Sequence, residues 1–140
     1  MENDVSEDLP PDAIVTAFIE AMHVWEVNAW AASRRARGTP QAEDYQVEVS
    51  AACDRVFAQF CTPRKRPYGR NASFSKPPEY DPATERIVAT RISGNKAEVD
   101  TLHQALLGGP FRYVLHRRDG RWLIDSLKSE QDGQWRPDIL

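Results

Sequence analysis

The chain has two cysteines and three histidines in 140 residues, and each scarcity removes a class of protein. Cys53 and Cys61 stand eight residues apart inside one helical pattern. That is about 12 Å along a helix, too far for a disulfide. They are expected to be buried free thiols in a reducing compartment. His23, His103 and His116 have no close Cys, Asp or Glu spacing, which argues against a metal site. No apolar run approaches the length of a membrane span, and the N-terminus is acidic rather than basic and apolar. Neither a membrane helix nor a signal peptide is expected, and the cytoplasm is the expected location. A Gly-rich phosphate loop, a Gly-x-Ser-x-Gly elbow and a Cys-x-x-Cys pair are also missing. No cofactor is expected.

What is present describes one globular domain, expected over residues 10–140 behind an acidic, disordered tail of residues 1–9. A chain of this length buries roughly two thirds of its unfolded surface. Its 41% hydrophobic and 28% charged content is ordinary. A net charge of −3 leaves no global footprint for nucleic acid. The charges are segregated, however. Glu2, Asp4, Glu7, Asp8 and Asp12 precede the first base, while Arg64, Lys65, Arg66 and Arg70 cluster mid-chain and Arg112, Arg117, Arg118 and Arg121 cluster later. Solvated faces and a frayed terminus account for this, and so does a charged partner surface. The Arg64–Arg66 run lacks the interleaved aromatics of a nucleic-acid module.

Pro10-Pro11-Asp12 starts a first helix, and Ile14, Phe18, Met22, Trp25 and Ala29 form its apolar stripe. Arg34, Arg35 and Arg37 suit its C-terminus, and Gly38-Thr39-Pro40 stops it. A second helix runs from about Ala42, with Tyr45, Val49, Cys53, Val56, Phe57 and Phe60 as its stripe, and ends at Thr62-Pro63. The Pro-rich run from Pro63 to Pro82 reads as an ordered irregular segment, with a short strand or helical turn near Asn71–Lys76. From Glu85 the period becomes two. Turns at Gly94-Asn95, Gly108-Gly109-Pro110 and Asp119-Gly120 then divide a four-stranded antiparallel meander.

Tight turns place Arg91 opposite Glu98 and Asp100 opposite Arg117, two opposite-charge pairs. One face then carries Ile87, Leu102, Leu106, Phe111, Tyr113, Leu115, Trp122 and Ile124, and should meet the helices. The other carries Val88, Thr90, Val99, Thr101, His103, Arg112, Val114, His116, Leu123, Asp125 and Leu127. This mixed face is a candidate partner surface. On it His103, His116 and Asp125 either do general acid–base work or form a cross-strand polar group that Arg112 joins. No nucleophile accompanies them. His23 reads as a core-edge histidine. Tyr113 with Gln104 either lines a pocket or simply packs.

Helices followed by a curved antiparallel sheet that closes on Asp-Gly-x-Trp-Leu-Ile-Asp resemble the nuclear transport factor 2-like cone, an α+β fold. A narrower likeness lies in Phe74-Ser75-Lys76-Pro77-Pro78-Glu79-Tyr80-Asp81-Pro82, then Glu85-Arg86-Ile87. It continues in Tyr113, Asp119-Gly120-Arg121-Trp122-Leu123-Ile124-Asp125, Gly133-Gln134-Trp135 and Leu140. These resemble the nuclear transport factor 2-fold immunity proteins of bacterial polymorphic toxin systems. The resemblance implies a cytoplasmic, non-enzymatic protein that binds and neutralises a cognate toxin domain. A nuclease would suit an acidic surface made by the tail with Glu79, Asp81 and Glu85. The expected partner-binding residues are Glu79, Tyr80, Asp81, Glu85, His103, Arg112, His116 and Asp125. Two readings compete: a small-molecule lyase or isomerase of the same fold, and a homodimeric interaction module.

Overall fold

The computed structural model describes residues 9–40, 44–64, 66, 79–103, 110–138 and 140. The tail of residues 1–8, the Phe74–Pro78 motif, the Asn71–Lys76 element, Gln104, Leu106 and the Gly108-Gly109 turn lie outside them. Helix α1 runs Pro11–Ala36 and α2 Asp44–Phe60. The strands are β1 (Glu85–Ser93), β2 (Lys96–His103), β3 (Phe111–Arg118), β4 (Arg121–Gln131) and β5 (Gln134–Asp138), paired antiparallel in sequence order. Both helices pack on one face of the sheet: α1 crosses β1, β2 and β4, and α2 reaches β4. This is the expected α+β cone.

Pro11 sits where a missing N–H costs nothing, and the Ile14 amide bonds to the Pro10 carbonyl at 3.1 Å. The helix ends at a glycine with φ of +75°, and the Thr39 hydroxyl donates to the Ala36 carbonyl at 2.7 Å. Its stripe is buried as expected. Phe18 is the hub: it packs edge-to-face against Phe57 and Phe60 of α2, Tyr80, and Tyr113 of β3, at ring separations of 5.5–6.4 Å. The Trp25 indole N–H donates to the Val49 carbonyl at 2.9 Å and ties the helices together.

The sheet differs from expectation in three ways. First, there is a fifth strand. Asp132 and Gly133 both take positive φ, as Asp119 and Gly120 do, so the chain turns back and β5 pairs with β4. Pro137 is tolerated because β5 is an edge strand. Second, Asp100 faces Arg112, not Arg117, although Arg91 does face Glu98. Strand β2 stops at His103, and β3 starts at Phe111. The register moves by an odd number, so the β2 side chains change face relative to β3. Val99, Thr101 and His103 therefore point at the helices and are buried, whereas Leu102 is exposed. Third, a bulge at Asp125 lets Leu115 face Ile124 and Val114 face Ser126, which turns Leu127 into the core. A second bulge lies at Val88.

Candidate partner-binding surface

Among the described residues no helix covers the second face of the sheet. Its centre is a ladder of charge that crosses the strands. Arg112 on β3 grips Asp100 on β2 with both ends of its guanidinium: Nε donates to Oδ1 at 2.8 Å and Nη2 to Oδ2 at 3.1 Å. Arg91 on β1 donates to the same carboxylate at 3.0 Å and to Glu98 at 3.2 Å. On its other side, the Arg112 guanidinium lies 4.0 Å from the centre of the Trp135 ring on β5. Burial pushes the Asp100 carboxyl pKa up, but hydrogen bonds from Arg112 and Arg91 outweigh it and hold the group below its ordinary value. The ladder is ionised and pre-ordered, with an indole at its end.

A second cluster sits at the Asp125 bulge. After α2, Cys61 bridges Ile124 in parallel and the Thr62 amide donates to the Ile124 carbonyl at 2.8 Å. This short segment lies beside β4 beyond the stretch paired with β5. Asp125 accepts from the Thr62 hydroxyl and from Arg64 Nη1, each at 2.8 Å, and lies 3.8 Å from His116 Nδ1. Burial raises its pKa; Thr62, His116 and Arg64 outweigh burial, and the net shift is downward. Arg66 donates to the carbonyls of Thr62 at 3.2 Å and Asp125 at 3.1 Å, closing the segment. Burial pushes the neighbouring Cys61 thiol up to about 12, so it remains a protonated core group.

The inner face holds a third polar group. Glu85 accepts from the Thr101 hydroxyl at 2.6 Å and the Tyr113 hydroxyl at 3.3 Å. Burial raises its pKa despite both bonds. His103 donates from Nε2 to the Glu79 carbonyl at 3.0 Å. Glu26 of α1, fully buried, accepts the amides of Glu79 at 3.1 Å and Tyr80 at 2.8 Å, and His23 donates to the Tyr80 carbonyl at 2.8 Å. A small cavity of about 180 Å³ adjoins Glu85, lined by Thr16, Ile19, Pro82, Arg86 and Ile87. Among the described residues no three His, Cys, Asp or Glu side chains converge as a metal site.

The expected site residues thus divide. His116 and Asp125 meet, and Arg112 shares their open face. His103 does not join them; it is turned inward with Glu85 and Tyr80, all three buried. Of the expected acidic surface, the tail lies outside the described residues; Glu85 points into the core, Asp81 caps the Ala83 amide at 2.9 Å, and Glu79 alone of these three is exposed. Trp135, Asp100 and Arg91 were not among the expected residues. Asp132-Gly133, a repeat of the Asp119-Gly120 turn dipeptide, is the signal that places Trp135 on a strand.

A family model for the NTF2 fold immunity protein matches residues 10–138. The chain belongs to the NTF2 fold immunity protein family. It is also 28% identical over 128 residues to immunity protein RhsIA of Dickeya dadantii (strain 3937), which covers 89% of this chain and 91% of the relative. No solved structure matches it. The expected resemblance to this family, carried by the Phe74–Pro82 and Asp119–Asp125 motifs among others, is therefore borne out for the chain as a whole, and a toxin is the partner to be accounted for. Within this immunity protein Glu79 and Tyr80 are anchored on Glu26, and Asp119–Asp125 builds the β3–β4 hairpin. No described helix is long and apolar enough to cross a membrane.

Proposed function

We propose that this immunity protein neutralises its cognate toxin domain by covering it with the open face of the sheet, and that it catalyses no reaction. The Arg112–Trp135 stack, braced by Asp100, is the observation that carries this reading. An Arg and a Trp held in place lose little conformational freedom on docking, and these two residue types dominate interface energetics. Arg112, His116 and Asp125 are the contact residues retained from the expected set, with Trp135 added. Glu79 and Asp81 lie on the segment before β1 that Glu26 anchors through the Glu79 and Tyr80 amides. Tyr80, Glu85 and His103 support the fold from inside.

Two features support a non-enzymatic role. The hydroxyls of Thr101 and Tyr113 cap the Glu85 carboxylate, and the cavity of about 360 Å³ between α1 and α2, which is within the roughly 300–1,000 Å³ of small-molecule sites, is lined by none of Glu85, His103, His116 or Asp125. The protein acts in the cytoplasm, without cofactor or nucleic acid. Any homodimer leaves the sheet face open, because the toxin occupies it. The test is co-expression with the neighbouring toxin gene. The wild type should protect cells and co-purify with the toxin. Arg112→Glu and Trp135→Ala should lose both while remaining folded. Full protection by both variants would contradict the reading.

A further inference from the structure

One end of the same sheet face gathers cations. In the centre, Arg91 stands opposite Glu98 and Asp100 opposite Arg112, so both carboxylates are held, although Arg112 also faces Lys128 on β4. At the hairpin end Arg118 stands opposite Arg121, and Lys96 lies on the same face opposite His116. Directly opposed like charges destabilise a sheet. Among the described residues no carboxylate lies within 4 Å of Lys96, Arg118 or Arg121. Arg64 adds a fourth cation at the flank, half-exposed beyond its bond to Asp125. The whole chain is nevertheless net negative, at −3. Arg121 is held in place, since its Nη2 donates to the Gln59 carbonyl at 3.0 Å.

We infer that this cationic end, Lys96, Arg118, Arg121 and Arg64, docks against a carboxylate-rich surface of the toxin domain. The inference rests on the sheet-face reading above and gives its partner a charge. An acidic partner relieves the Arg118–Arg121 repulsion on binding, and it steers the encounter. Asp100 and Glu98 in the centre are held by Arg91 and Arg112, whereas Lys96, Arg118 and Arg121 are cations grouped at one end of the face. A nucleic acid fits less well. The patch spans only β2 to β4, two strand spacings or about 10 Å, and the aromatic of this face, Trp135, stacks on Arg112 in the central ladder.

The experiment measures association of the full chain with an active-site-inactivated form of the neighbouring toxin domain, from about 50 mM to about 500 mM NaCl. The wild-type association rate should fall steeply with salt. Arg118→Glu/Arg121→Glu should associate about tenfold more slowly with a flattened salt dependence, and its dissociation rate should change far less. Arg118→Lys/Arg121→Lys should recover most of the rate. Arg35→Glu/Arg37→Glu on α1 should behave as wild type. If the toxin binds and the folded charge-reversed variant keeps the wild-type rate and salt dependence, the inference is wrong and the sheet-face reading stands. If duplex DNA binds the wild type more tightly than the toxin does, and needs Arg118 and Arg121, the patch reads nucleic acid instead. If the wild type does not bind the toxin at any salt, both the reading and the inference fall.

Discussion

The Arg112 guanidinium lies 4.0 Å from the centre of the Trp135 ring while both of its ends bond Asp100. One arginine thus links β2, β3 and β5 across a face that no described helix covers. Docking against this arrangement costs little side-chain entropy, because its rotamers are already chosen.

The core depends on one ring. Phe18 is fully buried and contacts four aromatic side chains from three other parts of the chain. Phe18→Ala is expected to cost about 3–5 kcal/mol, since the surrounding rings cannot all close on the cavity. Denaturant unfolding measures it. A loss under about 1 kcal/mol would mean that the core is not organised on Phe18.

Glu26 is expected to matter more to local order than to packing. Glu26→Ala leaves the amides of Glu79 and Tyr80 without their acceptor and should cost about 2–4 kcal/mol. Hydrogen exchange at those two amides should speed up, while exchange in β3 and β4 changes only with global stability. Unchanged protection at Glu79 and Tyr80 would contradict the anchoring role.

Two carboxyls should give pH dependences of opposite sign. At Asp125 burial raises the pKa, but Thr62, His116 and Arg64 bring it below the ordinary value. Its stabilisation is complete above the unfolded value of about 3.9 and is lost as pH falls through the folded value. At Glu85 burial wins and the pKa is raised. Its contribution is complete below the unfolded value of about 4.3 and is lost as pH rises through the folded value. Glu85→Gln should therefore melt higher than wild type at neutral pH, with the gain vanishing near about pH 4. Asp125→Asn should melt lower at neutral pH, with the loss shrinking in acid. Thermal melts across this range decide it, and a reversed sign in either variant contradicts its assigned environment.

Much of this architecture was legible in the residues. The stripe from Ile14 to Ala29, the Gly38 stop and the Asp119-Gly120 turn each state their structure through local chemistry. Arg91 opposite Glu98 was legible too, because only the two-residue Gly94-Asn95 turn separates their strands. The β2–β3 register was not, since the connection between His103 and Phe111 carries no local rule for its length. An odd error there exchanges the two faces, which is why His103 seemed to accompany His116. The bulge at Asp125 hid Leu127 in the same way. Strand β5 was masked by Pro137, which only an edge strand accepts. Glu26 had a sequence signal of its own: it lies four residues after Met22 and three before Ala29, on the apolar stripe, where a carboxylate needs buried donors.

The central claim is that the toxin is met by the sheet face carrying Arg112 and Trp135. Calorimetric titration of the inactivated toxin domain into wild type and Trp135→Ala tests it most directly. The account predicts an affinity loss of at least about tenfold with a thermal midpoint close to wild type, since Trp135 is a half-buried residue on an edge strand. Unchanged affinity in Trp135→Ala, with binding lost instead through substitutions on the exposed side of α1 or α2, would contradict it.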